Sequence, residues 1–143
     1  MALLLVVLVY VGVVLTSAGQ AISVIVSVNA ASREKLLNDV SKVVRANSLT
    51  PYRIKDMAGR TVDMIDGGSL SYYLFVGSVP PDADDIAQCV KLPAGCQKVE
   101  YAVMVEPQFL LRPLWPRKWT VRLATNIKNN LAARGYAVSL RER

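Results

Sequence analysis

Residues 1–28 read MALLLVVLVYVGVVLTSAGQAISVIVSV and contain no charged side chain. Leu and Val dominate residues 2–15, and small residues follow, with Ala18 and Ala21 placed where signal peptidase cleaves. Neither Lys nor Arg precedes the apolar run, a departure from the usual signal peptide. The pattern predicts that residues 1–21 are a signal peptide or a membrane anchor and that residues 22–143 form a single domain.

Two alternatives to a cleaved signal peptide are compatible with the same stretch. As a helix, the apolar run covers about 22 Å, short of a hydrocarbon core of about 30 Å, whereas extension to Ala21 reaches about 31 Å. An uncleaved anchor is therefore one alternative. The other is that residues 3–15, which are dense in β-branched Val, form a buried strand of a cytosolic domain.

Six later stretches have the alternation or the composition of β-strands. They cover residues 22–28, 52–57, 60–65, 70–76, 98–105 and 136–140. Short turns that contain glycine separate the second, third and fourth stretches, which predicts a β-meander. The fourth stretch is rich in apolar and aromatic side chains, which predicts a central place in the sheet.

Three stretches predict helices. Residues 33–46 place their apolar side chains on one stripe, and this helix ends before Pro51. Residues 118–133 repeat apolar side chains every four positions, and Gly135 follows where a helix cap needs a left-handed residue. A short helix is predicted over residues 82–90, where carboxylates near its start stabilise the exposed N–H groups. These carboxylates are Asp82, Asp84 and Asp85.

The order of these elements predicts an α+β fold. It resembles a ferredoxin-like split βαβ arrangement with additional strands and a short helical insertion, in which helices cover one face of a mainly antiparallel sheet. Residues 107–116 contain three prolines and predict a rigid connection into the last helix. Such a fold hosts many functions, so it identifies none by itself.

The two cysteines, Cys89 and Cys96, are separated by a stretch in which Pro93 and Gly95 favour a turn. In an exported protein this spacing predicts a local disulfide, whereas in a reducing cytosol the pair would be two ordinary thiols. The chain contains no His, so these cysteines lack the partners of a zinc site.

No constellation of side chains predicts catalysis. The absence of His removes the commonest general base and the Ser–His and Cys–His nucleophiles. The carboxylates of residues 82–85 lack the glycine and the distal acid of a calcium loop, and Asp63 and Asp66 flank a strand end in the manner of turn residues. We therefore expect no enzymatic activity, no cofactor and no metal site.

Positive charge is concentrated at the C-terminal end. The chain carries a net charge of +6, and eight of its seventeen Lys and Arg residues lie in residues 112–143 beside a single acid, Glu142. The predicted interaction surface combines basic residues with two tryptophans. Its members are Arg112, Arg117, Lys118, Arg122, Lys128 and Arg134, with Trp115 and Trp119 nearby. An acidic protein or an anionic lipid surface is the expected partner, and the alternative is that these residues are simply solvated faces.

These features favour a non-catalytic binding domain of the cell envelope. We expect it in the periplasm or outside the cell, or tethered to the inner membrane by residues 1–21. The alternative is a cytosolic nucleic-acid-binding domain that uses the basic C-terminal helix. The strand around Tyr72, Tyr73 and Phe75 lacks the basic-Gly-aromatic pattern of an RNA-recognition strand, and export would argue against nucleic acid as a partner.

Overall fold

The computed structural model describes residues 2–16, 21–80 and 98–142, which form three α-helices and six β-strands. The helices are α1 (Ala2–Thr16), α2 (Arg33–Ala46) and α3 (Arg117–Ala133). The strands are β1 (Ile22–Asn29), β2 (Thr50–Lys55), β3 (Thr61–Gly68), β4 (Tyr72–Val79), β5 (Lys98–Pro107) and β6 (Ala137–Glu142). The α+β class and the predicted order of these elements are therefore confirmed.

The predicted short helix over residues 82–90 lies outside the described residues. The same holds for its three carboxylates and for the predicted disulfide between Cys89 and Cys96. These predictions stay predictions.

The six strands form one antiparallel sheet in the order β2-β3-β4-β5-β1-β6. Strands β2 to β4 form the predicted meander, and β4 is central as predicted. Strand β1 pairs with β5 on one side and with β6 on the other, antiparallel to both. Strands β5 and β6 consequently run parallel to each other on either side of β1, and α3 connects them.

Alternate residues of β1 supply the centre of the core. Ile22, Val24 and Val26 are fully buried, and the register places Val24 opposite Val103 of β5. Directly paired residues share a face of the sheet, so these strands present one continuous apolar surface. The buried stripes of α2 and α3 belong to the same cluster as this surface. They consist of Leu36, Leu37, Val40, Val43, Val44, Ala124, Ile127 and Leu131.

The structure decides between the alternatives for the N-terminal run. Ala2–Thr16 is an α-helix, so the alternative of a buried strand over residues 3–15 is wrong. A helix satisfies its backbone hydrogen bonds within the segment itself, whereas a strand needs partners on its flanks.

The predicted limits of the fourth strand are also wrong. Residue Leu70 lies in the preceding loop with its side chain almost fully exposed, and the strand extends to Val79. Ser69 accounts for the later start, because its hydroxyl accepts hydrogen bonds from the Ser71 and Tyr72 backbone N–H groups and closes a turn there.

Candidate functional site

The two tryptophans predicted as contact residues lie side by side where the chain enters α3. Residues 108–116, hereafter the connector, run from the end of β5 to the start of α3 and include a 3-10 turn at Phe109–Leu111. The rings of Trp115 and Trp119 meet edge to face, with 5.0 Å between their centroids. The structure thus brings the aromatic pair together.

Tyr72 on β4 holds Trp115 against the sheet. The Trp115 Nε1 donates a 2.9 Å hydrogen bond to the Tyr72 hydroxyl, and the two rings meet edge to face at 5.6 Å. Such an arrangement pairs the polar end of the indole while its apolar body packs. Sequence reasoning named Tyr72 only as part of its strand and missed its contact with Trp115, because 43 positions separate the two residues and only the tertiary structure brings them together.

Two further contacts fix the connector. Gln108 Nε2 donates hydrogen bonds to the backbone carbonyls of Ser69 and Tyr72, at 2.9 and 3.1 Å. Arg112 and Glu106 form a largely buried ion pair of 2.9 Å between Nη2 and Oε2. Together with Trp115, these contacts anchor the connector to the sheet at three of its residues. No sequence pattern had singled out Gln108.

Apolar side chains of the connector and of the first turn of α3 face solvent. The exposed fractions are 47% for Phe109, 65% for Leu110, 70% for Leu114 and 46% for Trp119. The Arg112 guanidinium lies 5.4 Å from the centre of the Phe109 ring. Exposed apolar side chains gathered in one region, rather than scattered singly, mark surfaces that contact a partner.

Helix α1 contacts this region. The Tyr10 hydroxyl donates a hydrogen bond to the backbone carbonyl of Leu110. From Leu3 to Val9 every side chain of α1 is apolar and exposed by more than half. Seven consecutive positions cover the whole circumference of a helix, so α1 has no polar face in this segment. Within the described residues, no helix combines the length and hydropathy needed to cross a bilayer.

Half of the predicted basic surface is neutralised by nearby acids. Arg112 pairs with Glu106, as described above, and the other two pairs are Arg117 with Glu142 at 2.6 Å and Arg134 with Asp39 at 3.3 Å. By contrast, Lys118, Arg122 and Lys128 have no acidic partner within residues 2–16, 21–80 and 98–142. Lys118 and Arg122 are exposed one turn apart on α3, next to the exposed ring of Trp119.

Carboxylates at the opposite end of the sheet are engaged with arginines. Asp63 lies 3.4 Å from Arg33 and 3.9 Å from Arg53. The Arg53 side chain also donates to Glu34 at 2.9 Å, and this hydrogen bond lowers the pKa of the Glu34 carboxyl. Among the residues that the structure describes, no three Cys, Asp or Glu side chains are grouped in a way that could hold a metal ion.

A shallow groove lies beside the connector. Its walls are formed by Thr50, Tyr52, Gly67, Gly68, Ser69 and Gln108. The neighbouring Asp66 carboxylate raises the pKa of Tyr52, and burial raises the pKa of Tyr73. The lining offers neutral polar groups and no positively charged side chain, so its residues do not indicate which class of ligand the groove would bind.

No protein-family model, curated protein or solved structure matches this chain.

Proposed function

We propose that this protein is a small non-catalytic binding domain of the cell envelope, exported or tethered to a membrane through residues 1–21. The observation that carries the proposal is the uniform apolar surface of α1. Burying one Val or Leu side chain is worth about 1.5–3 kcal/mol, so a helix with seven such side chains exposed favours lipid over water. A signal peptide during export and a retained membrane anchor would both place this helix in lipid.

The first experiment measures the intact mass of protein made from its own start codon, after cell fractionation and thiol alkylation. Two results support the proposal: a mature chain that begins near Gly19 or Ile22 in the envelope fraction, or a full-length chain in the membrane fraction. In either case Cys89 and Cys96 should be oxidised and resist alkylation. A full-length chain in the soluble fraction with two free thiols would overturn it.

A matched pair of variants tests the role of α1 directly. An arginine at the centre of a membrane-embedded helix costs about 2.5–3.5 kcal/mol, so L8R should lower the fraction of the chain that is exported or recovered with membranes relative to the wild type. L70R places the same charge on another exposed leucine, in a loop of the domain, and should leave fractionation unchanged. Equal behaviour of the two variants would contradict a membrane role for α1.

A second candidate function rests on the three basic residues of α3 without an acidic partner among the described residues. A cytosolic nucleic-acid-binding domain would use Lys118, Arg122 and Lys128 to contact phosphates. It predicts an uncleaved N-terminus, reduced cysteines and retention on DNA or RNA that falls steeply with salt. The apolar surface of α1 supports the first candidate over this one.

We also propose that the domain is an extended ferredoxin-like arrangement. The unit β5-α3-β6, with β1 between its two parallel strands, supports this classification, because it has the connectivity of a split βαβ motif. Strands β2 and β3 would then be the additional strands, at the edge distant from β6.

A further inference from the structure

The connector and the start of α3 expose apolar side chains close to positively charged ones. Phe109, Leu110, Leu114 and Trp119 are exposed apolar groups. Lys118 and Arg122, within one turn of Trp119, are exposed cations without an acidic partner in the described part of the chain. Together these six residues are called the interfacial patch below.

The patch is held open by the fold. Trp115 is pinned to Tyr72, Gln108 is bound to backbone carbonyls of the sheet, and Arg112 is paired with Glu106. These contacts fix the connector from its inner side, so its backbone needs little further ordering on binding. A preorganised surface of this kind loses less entropy when it meets a partner.

The chemistry of the patch selects its partner. Aromatic and leucine side chains are favoured at the boundary between headgroups and acyl chains, where basic side chains reach anionic headgroups. The hydrogen bond from Tyr10 to Leu110 makes the patch continuous with the apolar helix α1. An acidic protein would complement the two cations but would leave the surface of α1 uncovered.

We propose that the interfacial patch rests in the headgroup layer of an anionic membrane, as a second lipid contact beside α1. This inference rests on the proposed membrane association of α1 and adds the orientation of the domain to it.

The chain carries a natural probe, because its only two tryptophans, Trp115 and Trp119, lie in the connector and the first turn of α3. The full-length protein is reconstituted into phosphatidylcholine vesicles that contain about 30% phosphatidylglycerol, with or without lipids brominated near the headgroup end of the acyl chain. Bromine quenches indole fluorescence on contact, so the wild type should be quenched. W119F, which keeps only the inward-held Trp115, should lose most of this quenching.

Charge reversal provides the second arm. Attraction of one basic residue to an anionic surface contributes about 1 kcal/mol, so the loss of two attractions alone shifts the ratio of lipid-bound to lipid-free patch by about 30-fold, and repulsion of the two new carboxylates increases the shift. We therefore expect K118E/R122E to lose the bromine quenching in these vesicles. The control K35E/K55E makes the same change in net charge on α2 and β2 and should retain the quenching.

The outcomes separate this inference from the proposed function. A chain that does not float with vesicles overturns the membrane association of α1 and this inference with it. A chain that floats while its tryptophan emission is equal in brominated and plain vesicles overturns the interfacial patch alone. Loss of RNA or polyglutamate binding in K118E/R122E, with vesicle quenching unchanged, would also overturn the lipid contact and assign the cations to that partner.

Discussion

Asp39 on α2 accepts a 2.7 Å hydrogen bond at Oδ2 from the hydroxyl of Tyr136, 97 positions further along the chain. The other carboxylate oxygen lies 3.3 Å from Arg134 and 3.9 Å from Lys42. Asp39 is almost fully buried, so these partners compensate for the loss of its hydration. These contacts connect α2 to the loop that follows α3.

This contact predicts a loss of stability at alkaline pH. Burial and the hydrogen bond to Asp39 raise the pKa of Tyr136 from 10.0 to about 12. Between these values the folded protein keeps the phenolic proton that the unfolded chain has lost. The stabilisation is therefore complete below pH 10 and is lost as the pH rises towards 12.

Urea unfolding of the wild type and Y136F across this pH range measures the effect. The wild type should lose up to about 1.4 kcal/mol more per pH unit than the variant, since one proton is involved. Other tyrosines titrate equally in both proteins and cancel in the difference. Identical slopes would show that Tyr136 is not shifted.

The second prediction concerns stability at Gly67 and Gly68, where β3 lies too close to the backbone of the adjacent residues to leave room for a Cβ atom. Their φ angles are 151° and 145°, and a Cβ atom would lie 2.0 Å from the carbonyl oxygen of Thr50 or 2.2 Å from that of Tyr72. G67A should lower the free energy of unfolding by about 3 kcal/mol or more, combining strain with steric overlap. G59A is the matched control, because Gly59 has a positive φ but open space around it, and should cost about 1 kcal/mol. Similar costs for the two variants would argue against the close approach.

Replacement of the buried Thr120 by valine should stabilise the protein. The Thr120 side chain is fully buried on α3, and its hydroxyl has no hydrogen-bond partner in the described part of the structure. T120V removes the unpaired hydroxyl at nearly constant volume and should raise the free energy of unfolding by about 1 kcal/mol. T120S keeps the hydroxyl and removes a methyl group, so it should be destabilising by a similar amount. Destabilisation by T120V in thermal unfolding would mean that the hydroxyl is satisfied.

The pairing of Trp115 with Tyr72 predicts an energetic coupling. Y72F leaves the indole N–H without its acceptor and should cost about 1 kcal/mol of unfolding free energy. A double-mutant cycle with W115F isolates the pairwise contribution, which we expect to be about 0.5–1.5 kcal/mol. Additive effects in the cycle would show that the two side chains act independently.

Part of the candidate site was predictable from the sequence, but its exposed apolar residues Phe109, Leu110 and Leu114 and its internal pairing were not. The sequence identified Trp115, Trp119, Lys118 and Arg122 through composition and position. It offered no means to recognise that Arg117 is neutralised by Glu142, because the partners come from elements distant in the chain. Contacts such as those of Gln108 and Tyr10 depend on side chains that no motif marks.

The sequence by itself determined the elements of the domain, because hydrophobic periodicity is a local property. The stripe of α2 predicted its limits at Arg33 and Ala46, and alternation predicted β1 and β5. The apolar run in α1 has no such period, so its choice between helix and strand required the structure. Strand order, the pairing of Asp39 with Tyr136 and the joining of α1 to the connector were decided only by the tertiary structure. Each depends on register between segments far apart in the chain, and local side-chain patterns carry no information about that register.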